Sequence, residues 1–198
     1  MPYHPFRSQE SDIVFSPFTG PYRQITAVTE YWFDDILQED RVLDIGANVG
    51  GFCIRAAKKS GHVTAVEPVT THPLRENIRA NNVSVQLIEG ALGDGKPAEI
   101  CWDDCRVVTR TYPLRDLIQM SGGCDFLKCD CEGAEWLINP PELHHVRRIE
   151  MEIHLPPISG PPNPDLLAYI TRWYDFEVER KPCHDILGVM GVLHAERR

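Results

Sequence analysis

The sequence predicts an α/β fold with a seven-stranded, mostly parallel sheet, helices on both of its faces and an antiparallel strand pair at the C-terminal end. Short apolar runs alternate with segments of helical periodicity along most of the chain. A glycine-rich turn follows the first apolar run, and two further strand-like segments close the sequence. Because this alternation is typical of parallel sheets with right-handed crossovers, these observations define the predicted architecture.

The N-terminal region precedes the predicted sheet. Residues 1–23 carry prolines and aromatic residues without periodicity, so we expect an irregular cap over the domain. Apolar residues recur at helical spacing over residues 24–37, which predicts a lead-in helix. Strands and helices then alternate, with strands over RVLDIG, HVTAVEP and VSVQLIEGAL and helices over FCIRAAKKS and HPLRENIRANN.

Residues 93–112 interrupt this alternation and predict an excursion with a small hairpin. The alternation then resumes with a helix over PLRDLIQMS, a fourth strand over CDFLKCD, a helix that begins at GAEWLI and a fifth strand over VRRIEMEIHL. A helix over DLLAYITRWY and two strands over FEVERK and GVMGVLH complete the prediction. The sequence shows no internal repeat and no clear domain boundary, so we expect a single domain.

Composition excludes several classes of partner. The formal net charge of −9 and the pI near 5.3 provide no general basic field for a phosphate backbone, which makes nucleic acid an unlikely partner. No apolar run approaches the ~20 residues of a membrane-spanning helix, and the N-terminal segment MPYHPFRSQESD lacks the apolar region of a signal peptide. We therefore expect a cytoplasmic protein without a membrane partner, whose seven cysteines are reduced.

The strongest chemical signal is the segment VLDIGANVGGF, residues 42–52. Gly46 and Gly50 fall where a strand turns into a helix, and a glycine there lets the backbone approach a ligand closely. Glu67 ends the second predicted strand about twenty residues later, where a carboxylate can accept hydrogen bonds from the hydroxyls of a ribose. The pattern indicates a nucleotide-type cofactor, although tight turns without a ligand also contain glycines.

Two cofactors are compatible with such a loop. A dinucleotide loop reads G-x-G-x-x-G, but here Asn48 replaces the middle glycine and would crowd a diphosphate. Asp44, just before the loop, suits the ammonium group of a methionine-type ligand. S-adenosylmethionine therefore fits the loop better than NAD does. An NAD cofactor would instead imply an NAD-linked oxidoreductase.

The same segments resemble a known family. VLDIGANVGGF with AVEP is similar to the cofactor region of the Rossmann-like class I methyltransferases, and FLKCDCEGAEW and IEMEIH resemble motifs of the FkbM-type methyltransferases. The resemblance implies S-adenosylmethionine-dependent transfer of a methyl group to a hydroxyl of a sugar, polyketide or similar small molecule. It also divides the domain into a cap and lead-in helix (1–40), a cofactor-binding core (41–155) and a C-terminal helix and strand pair (156–198).

The resemblance adds a second set of cofactor residues after the third strand. Gly90, Ala91 and Leu92 lie where this architecture usually meets the adenine ring. The full set of predicted cofactor residues is Asp44, Gly46, Asn48, Gly50, Glu67, Gly90, Ala91, Leu92 and Asp130.

Asp130, Glu132 and His154 are the predicted catalytic residues. Strand alternation places Lys128 and Asp130 on one face of the fourth strand and the neighbouring cysteines on the other. Asp130 would bind the cofactor's amino-acid end or the acceptor, whereas Glu132 and His154 would orient the acceptor or remove its proton. Structural roles remain open for Asp130 and His154, and Lys128 is expected to form an internal ion pair with Glu152.

Three further alternatives follow from the same residues. Asp130, Glu132, Glu152 and His154 offer hard oxygen ligands and one imidazole, so a divalent metal is an alternative to a metal-free site. Glu135 is expected in the first turn of the next helix, where an acid compensates the helix dipole. A catalytically silent S-adenosylmethionine-binding module is the non-enzymatic interpretation.

Overall fold

A computed structural model describes residues 13–16, 30–102, 104–180 and 189–198. Its centre is a seven-stranded sheet, and a three-stranded sheet lies beside it. The ten strands are β1 (Arg41–Ile45), β2 (His62–Glu67), β3 (Gln86–Glu89), β4 (Ala91–Leu92), β5 (Pro97–Trp102), β6 (Cys105–Tyr112), β7 (Phe126–Cys129), β8 (Arg148–His154), β9 (Tyr174–Glu179) and β10 (Val189–Arg197).

The large sheet has the order β3-β2-β1-β7-β8-β10-β9. Strands β3, β2, β1, β7 and β8 are parallel to their neighbours, whereas β10 pairs antiparallel with both β8 and β9. This arrangement confirms the predicted mostly parallel sheet with an antiparallel C-terminal strand pair. The predicted hairpin is also present, since β5 and β6 pair antiparallel and β4 pairs with β6.

Helices cover both faces of the large sheet. Two apolar clusters form the core, and neighbouring residues of strands β1, β2 and β7 belong to different clusters, as Val42 and Leu43 of β1 do. The four α-helices are α1 (Gly51–Ala57), α2 (Thr71–Ala80), α3 (Leu114–Met120) and α4 (Pro164–Trp173). Helices α1 and α2 contribute to one cluster, and α3 and α4 contribute to the other.

Three local predictions differ from the structure. Residues 30–37 form bends and turns instead of the end of a lead-in helix, and residues 24–29 of that prediction lie outside the described residues. Long-range hydrogen bonds account for the difference, because the Trp32 N–H donates to the Glu150 carboxylate and the Tyr31 hydroxyl donates to Asp130. The segment GAEWLI forms only a short 3-10 turn, Ala134–Leu137, and the third predicted strand divides into β3 and β4 at Gly90.

None of the helices in the described ranges is long and apolar enough to cross a membrane. The cysteines within those ranges are free thiols, as expected, and Cys183 lies outside them.

A substitution of Leu127 in β7 tests whether the centre of the sheet is packed as the structure shows. Its side chain is fully buried, whereas Leu137 in the 3-10 turn is 61% exposed. Leu127→Ala should lower the free energy of unfolding by about 2–5 kcal/mol because it removes buried methyl groups and leaves a cavity. Leu137→Ala is the matched control and should change stability little. Urea denaturation measures both, and equal losses would contradict the assigned core.

Candidate active site

A cavity opens at the carboxyl ends of the parallel strands. Open α/β sheets bind ligands at this edge, because the loops after neighbouring strands converge there. Its lining combines the glycine-rich loop, the end of β2, the β3–β4 turn, the hairpin and the segment after β7. The lining residues are Ile45, Gly46, Asn48, Val66, Glu67, Pro68, Val69, Gly90, Ala91, Leu92, Ile100, Cys101, Trp102, Asp130, Cys131, Glu132 and Ala134.

Gly46 starts the loop after β1 in a conformation that only glycine adopts easily. Its φ is +75°, and a Cβ atom at this position would lie 1.7 Å from the carbonyl oxygen of Asp130. The Gly46 and Ala47 N–H groups both donate to the Val66 carbonyl, at 2.9 and 3.1 Å. The missing side chain therefore allows the loop to lie directly against the segment after β7, which brings Asp130 to the cavity.

Glu67 connects the end of β2 to the glycine-rich loop. Its Oε2 accepts a hydrogen bond from the Asn48 N–H at 2.8 Å. Its Oε1 accepts from the N–H groups of Val69 and Thr70, at 2.6 and 2.9 Å. The carboxylate predicted to bind a ribose thus also orders the backbone of the turns after β1 and β2.

Lys128 lies behind the loop and pairs with Asp44. Its Nζ is 3.0 Å from Asp44 Oδ1 and donates to the Gly46 carbonyl at 2.7 Å. Burial alone would lower the pKa of Lys128, but the charges of Asp44 and Asp130 raise it above its usual value, so the ammonium group remains charged. Burial raises the pKa of Asp44, although Lys128 opposes that shift. The expected ion pair between Lys128 and Glu152 was wrong.

The structure places two predicted cofactor residues away from the cavity lining. Asp44 is fully buried and acts on the loop through Lys128, so its carboxylate does not line the cavity. Gly50 has a φ of +99° and packs against the side chains of Ile54 and Leu74. The other predicted cofactor residues line the cavity, namely Gly46, Asn48, Glu67, Gly90, Ala91, Leu92 and Asp130.

The hairpin supplies a side of the cavity that the sequence interpretation did not assign. Ile100, Cys101 and Trp102 of β5 line the cavity together with the glycine-rich loop. Gly90 permits this approach, because a Cβ there would lie 2.7 Å from the Tyr112 ring of β6. The only sequence signal was Trp102, an aromatic residue in a segment that interrupts the strand–helix alternation.

Three carboxylates surround the His154 imidazole beside the cavity. His154 Nε2 lies 3.2 Å from Glu152 Oε2, 3.4 Å from Glu132 Oε2 and 4.0 Å from Asp130 Oδ1. We call Asp130, Glu132, Glu152 and His154 the acid–histidine cluster. Asp130 and Glu132 line the cavity, so the cluster borders its interior.

Glu135 contacts the opposite ring nitrogen of His154, Nδ1. Its Oε1 accepts a hydrogen bond from the His154 N–H at 2.9 Å and lies 3.1 Å from His154 Nδ1. Its Oε2 accepts from the Gly133 N–H at 2.8 Å. Glu135 lies in the first turn of the 3-10 segment, as expected, and this fully buried carboxylate also orients His154.

The cluster has strongly shifted protonation equilibria. Burial lowers the pKa of His154, but the nearby carboxylates of Glu135, Glu152 and Asp130 outweigh it and raise the pKa to about 11. Burial raises the pKa of Glu152 to about 7, although the nearby His154 opposes that shift. The pKa of Glu132 is also raised, mainly by burial. Such shifts concentrate at sites where proton transfer or ligand binding takes place.

The two cysteines of FLKCDCEGAEW are not members of the acid–histidine cluster. Cys129 is fully buried in the core, and its Sγ lies 3.3 Å from Cys131 Sγ. Cys131 packs partly against the same core and also lines the cavity. The hydrogen bond with the neighbouring Cys129 thiol, together with burial, raises the pKa of Cys131, so the thiol form is favoured.

Comparisons with known proteins identify the fold. The structure is similar to an rRNA methylase from Streptococcus thermophilus, with a TM-score of 0.54, 11% identity and coverage of 82% of this chain and 90% of that one. It is also similar to precorrin 8w decarboxylase from Methanobacterium thermoautotrophicum, with a TM-score of 0.52, 15% identity and coverage of 94% and 97%. A tRNA (m1A58) methyltransferase from Aquifex aeolicus gives a TM-score of 0.51 at 13% identity, with coverage of 83% and 64%.

These similarities show that the chain has the Rossmann-like α/β fold found in methyltransferases. No protein-family model matches the sequence, and no curated protein matches it.

The Lys128–Asp44 pair can be tested by a double-mutant cycle. Lys128→Met should cost about 3–5 kcal/mol of unfolding free energy, because Asp44 would be left buried without a countercharge. Asp44→Asn in the same chain should recover part of that loss, giving a strong favourable coupling between the two changes. Urea denaturation of the wild type, both single variants and the double variant gives the coupling, and simple additivity would refute the pair.

Proposed function

We propose that this protein is an S-adenosylmethionine-dependent methyltransferase, of the FkbM type that its motifs resemble. The observation that carries the proposal is the cavity between Gly46, Glu67 and Asp130, at the sheet edge where this fold binds ligands. The fold likeness to two proteins named as RNA methylases supports it.

The cavity offers groups that suit each part of this cofactor. Gly46 leaves the loop backbone without a side chain beside the cavity. Glu67 provides carboxylate oxygens for ribose hydroxyls, and Val66, Leu92 and Ile100 offer apolar surface for a base. Asp130 offers negative charge for the amino-acid end, which carries an ammonium group. When bound, the cofactor supplies a methyl carbon activated by a sulfonium.

The same residues argue against a dinucleotide. Asn48 adopts a φ of 49° in the loop, where a dinucleotide site would use glycine. The cavity lining also carries Glu67, Asp130 and Glu132, whose negative charges would repel a diphosphate. An NAD-linked oxidoreductase is therefore the weaker interpretation.

We propose a hydroxyl group of a small molecule as the acceptor. The acid–histidine cluster borders the cavity and presents carboxylates that can accept a hydrogen bond from such a hydroxyl. A pKa of about 11 keeps His154 protonated, whereas a pKa of about 7 makes Glu152 the better proton acceptor at neutral pH. The acidic cluster and the net charge of −9 disfavour a polyanionic acceptor such as RNA.

Cofactor choice is tested by ligand-induced stabilisation. S-adenosylhomocysteine at 100 times its Kd should stabilise the protein by about 2.7 kcal/mol, and NADH should have no effect. Gly46→Ala should abolish the shift, because its new Cβ would collide with the Asp130 carbonyl. Gly61→Ala, whose Cβ would have no neighbour within 4 Å, is the matched control and should retain it. Thermal denaturation measures all three proteins, and stabilisation by NADH alone would overturn the proposal.

The role of Asp130 is tested by measuring methyl transfer from a labelled methyl donor to a metabolite extract. Asp130→Ala should abolish transfer without unfolding the protein, because its side chain is only partly buried at the cavity. Asp175→Ala, at an exposed position on β9, should retain activity. Near-normal methylation by the Asp130 variant would reject its role. A wild-type protein that binds S-adenosylhomocysteine but methylates nothing in the extract would favour the silent module.

A further inference from the structure

We propose that the acid–histidine cluster binds a divalent cation, with Asp130, Glu152 and His154 as ligands and Glu132 at its open side. One ligand atom from each of Asp130, Glu152 and His154 lies within 4.8 Å of the other two. Ligands about 2.1 Å from an ion lie roughly 3.0 Å apart when adjacent and about 4.2 Å apart when opposite. The distances from His154 Nε2 to Glu152 and Asp130, 3.2 and 4.0 Å, fall in this range.

The imidazole provides independent support. His154 is fully buried, and its Nε2 makes no hydrogen bond of normal geometry with any of the described residues, although it faces the carboxylates. A buried polar atom without such a bond costs free energy unless it has another partner. A cation between Nε2 and the carboxylates would provide that partner.

Glu135 prepares the imidazole for this role. Its Oε1 lies 3.1 Å from His154 Nδ1, so when a cation displaces the Nε2 proton of the imidazolium to water, the remaining proton resides on Nδ1 and the Nε2 lone pair points to the cluster. Carboxylates commonly orient metal-binding histidines in this way. Glu135 is thus a positioning residue for the ion, and it does not itself face the cation.

The charge balance also favours a cation. Three carboxylates of the cluster lie within 4.0 Å of one imidazole nitrogen. The nearby Lys128 ammonium is 4.0 Å from Asp130 but already pairs with Asp44 and the Gly46 carbonyl. Oxygen ligands with a single imidazole suit Mn²⁺ or Mg²⁺ better than a thiophilic metal.

The role of the ion rests on the proposed function, whereas its binding does not. Because Asp130 and Glu132 line the cavity, a bound ion would meet an acceptor hydroxyl there. Coordination would lower the pKa of that hydroxyl and hold its oxygen for methyl transfer. The proton would pass to a carboxylate of the cluster or to water.

Mn²⁺ binding to the chelator-treated full chain tests the site, using electron paramagnetic resonance of free Mn²⁺ without any methyl donor. The wild type should bind one Mn²⁺, and Glu152→Gln should weaken binding at least about 10-fold through loss of a ligand charge. Glu135→Gln should weaken it about 10- to 100-fold, as expected for a residue that orients a ligand. Glu39→Gln, in an exposed turn, is the matched control and should bind like the wild type.

The outcomes separate this inference from the proposed function. Absence of Mn²⁺ binding, or equal binding by the wild type and Glu152→Gln, would overturn the cation site even if S-adenosylhomocysteine binds. Mn²⁺ binding without S-adenosylhomocysteine binding would instead reject the proposed function. Circular dichroism checks folding, and Asp130→Asn, at a more exposed ligand, replaces Glu152→Gln if that variant unfolds.

Discussion

The buried ion pair between Lys128 and Asp44 is the constraint on which the rest of the site depends. It joins neighbouring strands β7 and β1, and the same ammonium group donates to the Gly46 carbonyl. Removing two charges from water is costly, so the pair is favourable only when its position is tightly defined. That position fixes the start of the glycine-rich loop against β7.

The strand register extends this polar arrangement across the sheet. Asp44, Lys128, Glu150 and His194 are successive register partners on β1, β7, β8 and β10. They form a buried polar row in the middle of an otherwise apolar core. Trp32 covers the far end of this row, since its ring stacks on His194 at 3.9 Å and its N–H donates to Glu150. The segment around Trp32 therefore packs against the polar row, which explains why residues 30–37 do not form a helix.

The active-site groups lie at the carboxyl ends of the same strands, two residues beyond the polar row. Ile45, Cys129 and Met151 are partners in the register, so the residues that follow them meet at the carboxyl edge of the sheet. These residues are Gly46, Asp130 and Glu152. The candidate site is thus a consequence of strand register, and the structure needs no long loop to bring the acids together.

The sequence predicted the features that depend on local pattern. Alternation along β7 correctly separated Lys128 from Cys129, and the glycine-rich turn located the cavity. It did not identify the partner of Lys128, because alternation defines a face of the sheet but not which neighbouring side chain is nearest. The role of Glu135 was also hidden, since it depends on the positive φ angles of Glu132 and Gly133, 54° and 101°, which turn the chain back towards His154.

Hydrogen–deuterium exchange of the wild-type chain with and without S-adenosylhomocysteine shows whether the cavity binds the cofactor, because it locates the ligand on the chain. We expect slower exchange in the peptides that line the cavity, around residues 46–50, 67–70, 90–92 and 130–134, with little change on strand β9. Unchanged exchange at saturating ligand, or protection confined to segments outside the cavity, would contradict this expectation.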